Sequence, residues 1–198
     1  MLDRDIRPTL LRAVREDHPG ATLFEEFPVC RKGRADLVAV NAALWGYEIK
    51  SERDTLSRLP IQIERYECIC DFSTVVSAER HLKNVKQLIP SHWGVVSVSG
   101  PADNCFLEEV RKPKRNPNRQ IDHIIRLLWK TECVKVLRSH GIAVSRNSSV
   151  RAIWTMLQGL PIVDLDVSVR CALKERHTLE FAAQRMTDDG LGTTGPTL

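Results

Sequence analysis

Two strand-like segments between residues 35 and 50 carry charge where a core strand would carry apolar side chains. The first, ADLVAVN, contains Asp36, and the second, LWGYEIK, contains Glu48 and Lys50. Because side chains alternate across a strand, Glu48 and Lys50 point to one face and Ile49 to the other. Only a short turn separates the two segments, so we expect Asp36 to lie close to Glu48.

Two carboxylates this close repel each other, so the arrangement calls for a cation. Hard oxygen ligands of this kind suit Mg²⁺ or Mn²⁺. A metal-bound water would then be a potential nucleophile, with Lys50 orienting it or stabilising charge on a phosphate oxygen. A simpler interpretation stays open at this point, in which Glu48 and Lys50 form a solvent-facing ion pair and Asp36 lies in an exposed turn.

The segment from Asp54 to about Ile69 has the apolar spacing of a helix. Arg58, Gln62 and Tyr66 recur every four residues and form a polar stripe beside the apolar one. If this helix packs beside the second charged strand, Gln62 would reach the metal-bound water or a substrate phosphate. The alternative is a solvated helix face.

The remaining pattern predicts an α/β fold. A helix over 5–18 and three strands joined by short turns predict an antiparallel meander. The strand STVVSAE, the helix RHLKNVKQLIP and the strand HWGVVSVSG predict a parallel pair with a crossover. We therefore expect a mixed sheet flanked by helices over 1–102, a mainly helical extension over 103–185 and a disordered tail over 186–198.

Composition narrows the classes of function. The 198 residues are 42% hydrophobic and 27% charged, with a net charge of +4. No apolar run is long enough for a membrane span, and the charged N-terminus does not resemble a signal peptide, so a cytoplasmic location without a membrane partner is expected. Without a glycine-rich phosphate loop, ATP-driven activity is not expected. The basic charge is compatible with nucleic acid.

A basic segment, RKPKRNPNR, contains no acid and is a candidate for phosphate contacts through Lys112, Lys114 and Arg115. A flexible, solvated loop is the alternative. The C-terminal helices are interpreted as a cap on the core, with a DNA-gripping module as the second possibility. The four tryptophans lie in periodic segments and are expected in the core.

The motifs RAD, YEIKS and QIERY resemble those of the PD-(D/E)XK nuclease-like superfamily, and they look like a little-characterised bacterial and phage branch of it. The resemblance covers roughly residues 5–100 and implies a restriction-endonuclease-like core. It also implies Asp36 and Glu48 as ligands of Mg²⁺ or Mn²⁺, with Lys50 and Gln62 assisting the attacking water. A further acid is typical of the superfamily. Glu26 is the first choice for it, and the alternates are Glu25 and Glu16.

These features together predict a metal-dependent nuclease that hydrolyses phosphodiester bonds in DNA during defence, repair or mobile-element processing. Arg58, Tyr66 and the basic segment would contact the nucleic-acid backbone. RNA as the substrate stays open, as does action as a homodimer or with a partner protein. The rival is a non-catalytic nucleic-acid- or protein-binding module on a nuclease-like fold, such as a phage or mobile-element regulator.

Overall fold

The computed structural model describes residues 1–29 and 33–188, with side chains described as far as residue 178. Six strands form one sheet in chain order. Their bounds are β1 (Thr22–Val29), β2 (Gly33–Val40), β3 (Leu44–Lys50), β4 (Phe72–Ala78), β5 (Gly94–Ser99) and β6 (Phe106–Arg111).

The helices lie before, between and after these strands. They are α1 (Asp3–Asp17), α2 (Leu59–Glu67), α3 (Leu82–Leu88), α4 (Ile121–Ile125), α5 (Lys130–Ser139), α6 (Val150–Gln158) and α7 (Ile162–Asp188), and a 3₁₀ turn (Glu79–His81) precedes α3. Within the described ranges, no helix is both long and apolar enough to cross a membrane.

The sheet is mixed, as predicted. β1, β2 and β3 form the antiparallel meander, and β4 and β5 form the predicted parallel pair. β3 also pairs with β4 in parallel, and β6 closes the sheet antiparallel to β5. The α/β class with helices flanking a mixed sheet is thus confirmed, whereas the restriction-endonuclease-like assignment stays a prediction.

Two apolar layers cover the sheet. On one face, α1 buries Ile6, Leu10 and Val14 at a spacing of four residues, which is the stripe that a helix needs to pack on a flat sheet. On the other face, residues of α2, α4, α5, α6 and α7 share one core with the opposite side of the strands. The C-terminal helices therefore form part of the core itself.

The helix predicted from Asp54 begins only at Leu59. The reason is local, because the Asp54 carboxylate accepts hydrogen bonds from the backbone N–H and the hydroxyl of Ser51, at 2.8 and 2.6 Å. That pairing closes a turn and removes Asp54 from the helix. Pro60 consequently lies in the first turn, where its missing N–H has no intrahelical partner to lose.

The tryptophans depart from the expected core placement. Trp93 is fully buried and Trp45 and Trp154 are partly buried, whereas Trp129 is 55% exposed. Trp129 lies immediately before α5, so no helix face turns it inward. Of the predicted tail, residues 186–188 belong to α7, and 189–198 lie outside the described residues.

The basic segment is a fixed part of the fold. Asn116 donates to the carbonyl oxygens of Glu67 and Cys70, and its own N–H donates to the Asp71 carbonyl oxygen. The Asp71 carboxylate, itself fully buried, accepts hydrogen bonds from Arg115 and Arg119 at 2.8 Å. The interpretation as a flexible loop is therefore wrong for this part of the segment.

Asp71 connects three parts of the chain. One carboxylate oxygen accepts the backbone N–H of Leu44 at the start of β3, and the other accepts the two arginines. Arg119 then pairs with Asp166 on α7. The sheet and the C-terminal helices are thus joined through one buried ion network.

Removing the centre of this network should be costly. We expect Asp71→Ala to lower the free energy of unfolding by about 3 kcal/mol, since it leaves the buried N–H of Leu44 without its acceptor and removes one of the two carboxylates that balance the largely buried Arg119. Glu109→Ala, which removes the exposed ion pair with Lys112, is the matched control and should change stability by less than about 0.5 kcal/mol. Urea unfolding of both variants measures the difference, and equal losses would contradict the role given to Asp71.

Candidate functional site

The structure brings the predicted residues of β3 and α2 into one cluster. Lys50 lies at its centre and donates hydrogen bonds to Glu48 Oε1 and to Gln62 Oε1, both at 2.8 Å. The Tyr66 hydroxyl lies 2.9 Å from Glu48 Oε2 and 3.0 Å from the Tyr47 carbonyl oxygen. The charges of β3 therefore point towards α2, as the alternation of the strand requires.

Asp36 joins the cluster from β2. Its Oδ2 accepts the backbone N–H of Ile49 at 2.7 Å, and its own N–H donates to the Tyr66 hydroxyl at 3.1 Å. Burial and the neighbouring charge of Glu48 raise the pKa of Asp36 to about 7, against the Ile49 hydrogen bond, which lowers it. Asp36 and Glu48 are thus close enough to repel, as the sequence pattern predicts.

The centre of the cluster is closed to solvent, whereas Asp36 and Gln62 at its margin are half-buried. Glu48 is 1% exposed, Lys50 3% and Tyr66 0%. Burial raises the pKa of Glu48, while Lys50 and the Tyr66 hydroxyl oppose that shift by stabilising the carboxylate. The interpretation as a solvent-facing ion pair with Asp36 in an exposed turn is therefore wrong, because the pair is interior and Asp36 is a strand residue.

Gly46 makes room for this arrangement. A Cβ atom on Gly46 would come within 2.6 Å of Tyr66 Cδ1 and 2.8 Å of Cys70 Sγ. The bare backbone of β3 lets the tyrosine ring lie against the strand and extend its hydroxyl to Glu48. An isolated glycine inside a strand is a signal of such close approach, and it could have been recognised in the sequence.

Glu26, the predicted third acid, forms an ion pair with Arg7 of α1. It lies between two β1 residues that pair with the neighbours of Asp36, in a left-handed backbone conformation with φ of 49°. Arg7 of α1 contacts Glu26 Oε1 at 3.1 Å and donates to the Asp36 carbonyl oxygen at 2.7 Å. Of the alternates, Glu25 lies 3.6 Å from the same guanidinium, and Glu16 is exposed on α1.

Arg7 is the residue near this site that the motifs did not indicate. It is fixed on its own helix by Asp3, whose Oδ1 accepts from Arg7 Nε at 2.9 Å. The i, i+4 spacing of an acid and an arginine could have suggested the pair. That spacing offers no reason to place the guanidinium at the junction of β1 and β2.

The side chains around Asp36 and Glu48 supply few ligands for a metal ion. Among the described residues, no group of three or more His, Cys, Asp or Glu side chains is placed to hold a metal. Asp36 and Glu48 supply two carboxylates, and Mg²⁺ commonly takes one or two with waters completing its shell. In this arrangement Glu48 would have to release Lys50 or Tyr66 to bind a cation, since each of its oxygens already has a hydrogen-bond partner.

The predicted nucleic-acid contacts lie in different places. Arg58 immediately precedes α2, is exposed, and lies near enough to Glu48 to favour its charged form. Tyr66 is interior, so its hydroxyl serves the cluster rather than the surface.

The basic segment lies at the far end of the parallel strands. Arg115 bonds to Asp71, which precedes β4, whereas Lys50 pairs with Ser77 near the end of β4. Six residues of strand span about 20 Å. The structure therefore does not bring Lys112, Lys114 and Arg115 to the Asp36–Glu48 cluster.

Comparison with known proteins identifies relatives. The model of a family described as "Bacteriophage P4 protein cII" matches residues 5–186. The curated protein named "Protein cII" of Enterobacteria phage P4 is 25% identical over 158 residues, which are 79% of this chain and 60% of that protein. The chain thus spans about 60% of the length of this relative.

A solved structure of a protein of unknown function from Silicibacter pomeroyi is 22% identical and covers 71% of this chain and 90% of its own, with a TM-score of 0.41. That likeness is too distant to define the fold.

The raised pKa of Asp36 predicts a specific pH dependence of stability. A carboxyl whose pKa rises from 3.8 to about 7 on folding keeps its proton in the folded state, so its contribution to stability decreases as pH rises from about 4 to about 7. Asp36→Asn keeps the oxygen that accepts the Ile49 N–H but does not titrate. We expect the wild type to lose stability relative to this variant by roughly 1.4 kcal/mol per pH unit across that window.

Urea unfolding of the wild type and Asp36→Asn between pH 4 and pH 8 measures this difference directly. Titrating groups that do not interact with Asp36 contribute equally to the two proteins and cancel in the comparison. A difference that stays constant with pH would show that Asp36 does not titrate in this range.

Proposed function

The chain belongs to the bacteriophage P4 protein cII family, and we propose that it is a nucleic-acid-binding protein of a phage or other mobile element, acting without catalysis. The family match, which extends over residues 5–186, is the observation that carries this proposal. A relative from phage P4 is consistent with a role in a phage or mobile element.

The state of the Asp36–Glu48 cluster supports a non-catalytic role. Its central groups, Glu48 and Lys50, are buried and hydrogen-bonded to each other. A group that acts on a phosphodiester must reach the reacting atoms within hydrogen-bond distance. With its ions paired in the interior, the cluster instead fixes α2 on β3 and so supports the surface that the helix presents.

Exposed positive charge supports nucleic acid as the partner. The chain carries a net charge of +4, and the side chain of Lys112 is 84% exposed while that of Arg115 is 67% exposed. Lys114 is exposed beside them, with its backbone N–H fixed to the His92 carbonyl oxygen. A segment that is anchored by hydrogen bonds and presents cations is suited to phosphates, and it contributes affinity without sequence preference.

A metal-dependent nuclease is the second candidate, and one observation favours it. Asp36, Glu48, Lys50 and Gln62, which the resemblance to PD-(D/E)XK nucleases implies as a set, meet in a single cluster. Burial and the charge of Glu48 raise the pKa of Asp36 to about 7, and a bound cation would lower it again.

In this second candidate, Asp36 and Glu48 would hold Mg²⁺ or Mn²⁺, which would polarise the phosphate and acidify a bound water. Lys50, once released from Glu48, would stabilise charge on a phosphate oxygen. Gln62 would keep the Lys50 ammonium in position.

Binding is tested first in EDTA, with fluorescein-labelled duplex DNA, single-stranded DNA and RNA followed by anisotropy over a range of salt concentrations. We expect binding that weakens with salt. The double variant Lys112→Ala/Lys114→Ala should reduce the slope of log affinity against log salt concentration by about 1.8 for duplex DNA. Each phosphate that the protein no longer neutralises reduces this slope by about 0.9. The control, Arg4→Ala/Arg12→Ala, removes the same charge from exposed positions on α1 and should leave the slope unchanged.

A wild type that binds none of the three nucleic acids would overturn the proposal. If the wild type binds but the two double variants have the same slope, the basic segment is not the interface.

Catalysis is tested by adding Mg²⁺ or Mn²⁺ to the same substrates. If the protein is a non-catalytic module, neither the wild type nor Lys50→Met should cleave the labelled nucleic acids. Cleavage by the wild type that falls by about a hundredfold or more in Lys50→Met would establish the nuclease instead, since loss of one charge-stabilising donor costs about that much. Met retains the length of the lysine stem, and thermal unfolding of the variant checks that the cluster still folds.

A further inference from the structure

Two cavities on the α2 side of the sheet meet at His123. The first, about 380 Å³, lies between α2 and residues 118–123, and the second, about 580 Å³, lies between the end of β1, α4 with residues 126–129 after it, and α7. His123 of α4 lines both. The two cavities are therefore neighbouring parts of one groove, which we call the His123 groove. Each has a volume in the range typical of ligand sites.

Two arginines line this groove. Within residues 1–29 and 33–178, neither Arg65 in the first cavity nor Arg126 in the second makes an ion pair, and the Arg126 guanidinium lies over the Trp154 ring, 4.8 Å from its centre. The Arg65 Nε is buried and has no hydrogen-bond partner within those described residues. The guanidinium lies so close to the backbone of Gly33 that a Cβ there would come within 2.9 Å of its Cζ. Because Gly33 has no Cβ, the Arg65 side chain can lie directly against the backbone of β2.

The acids of the first cavity offset this charge only in part. Glu67 is already engaged, with Oε1 accepting from His92 and Trp93 and Oε2 from Asn118. Glu64 is exposed on α2. The second cavity has no carboxylate among its described lining residues.

Trp129 supplies a flat apolar surface in the second cavity. It is 55% exposed, and the Arg176 guanidinium covers one face of the ring at 4.1 Å from its centre. Arg176 is itself held by Glu132 and by the Leu127 carbonyl oxygen. A ring fixed on one face and open to solvent elsewhere is suited to stack with another flat group.

We propose that the His123 groove binds a single strand of nucleic acid, with one base stacked on Trp129 and the backbone phosphates near Arg65 and Arg126. The proposal rests on the proposed function and specifies the class of nucleic acid. Stacking on a protein ring requires an unpaired base, and aromatic platforms combined with cations are the means by which proteins bind single strands without reading their sequence. The groove also continues, through Asn118 and Gln120, from the basic segment.

The test measures the affinity of the full chain for a fluorescein-labelled oligothymidylate of about 20 nucleotides, a length that exceeds a site of about 4–16 nucleotides. Trp129→Ala should weaken binding about five- to 150-fold, the range found when a stacking aromatic side chain is removed. Trp129→Phe should retain most of the affinity because it keeps a flat ring. Arg126→Ala should weaken binding and reduce its salt dependence.

Arg4→Ala, whose side chain is 82% exposed on α1, is the control and should bind as the wild type does. Thermal unfolding of each variant separates lost binding from lost folding, and Trp129→Phe provides a second comparison if Trp129→Ala is unstable.

The outcomes distinguish this inference from the proposed function. If the wild type binds duplex or single strands while Trp129→Ala and Arg126→Ala bind equally well, nucleic-acid binding stands and the His123 groove is rejected. If the wild type binds no nucleic acid, both fail. If thymidine monophosphate displaces the strand at the strand's own concentration, the groove takes a free nucleotide, and the single-strand inference is overturned.

Discussion

The ion pair between Glu48 and Lys50 constrains the structure around it. An ionised carboxylate in a protein interior is strongly unfavourable unless it is paired and hydrogen-bonded. Here Lys50 and Tyr66 each satisfy one oxygen of Glu48. Tyr66 belongs to α2, and Gln62 of the same helix accepts a hydrogen bond from Lys50, so this pairing requires α2 to lie against β3. The position of α2, and with it one wall of the His123 groove, follows from the need to compensate this buried charge.

The requirement extends to residues that carry no charge. Tyr66 reaches Glu48 only because Gly46 leaves the face of β3 bare, and α2 has the right register only because the Ser51–Asp54 turn delays its start. A second interior acid, Asp71, joins the sheet to the C-terminal helices in the same way. In both cases a buried carboxylate is satisfied by groups from distant parts of the chain, and these pairings hold the helices on the sheet.

The sequence was most informative where the backbone pattern and the chemistry agreed. The strand-like segment LWGYEIK predicted the bounds of β3, and the charges at Asp36, Glu48 and Lys50 predicted that they would share a site with Gln62. Because side chains alternate along a strand, the position of each residue determines the face of the sheet to which its side chain points. Neighbouring strands therefore bring specific side chains together. The class of fold followed from the same periodicities.

Other features depended on contacts that no local pattern encodes. The charge of Glu26 is balanced by Arg7, which belongs to α1 on the face of the sheet opposite α2. Trp129 lies in an apolar segment, yet its position between two short helices leaves it in solvent. The burial of Glu48 and Lys50 beneath α2 likewise depends on how that helix packs on β3, which no local pattern encodes.

The Asp71 network also constrains the order in which the chain acquires its structure. Until Arg119 arrives, Asp71 has no buried guanidinium to balance its charge, and Arg119 in turn pairs with Asp166. A sheet formed from the first hundred residues would therefore carry an uncompensated interior acid. During synthesis from the N-terminus, this acid is balanced only after Arg115 and Arg119 have emerged, so the step that satisfies it is non-local and slow compared with helix formation.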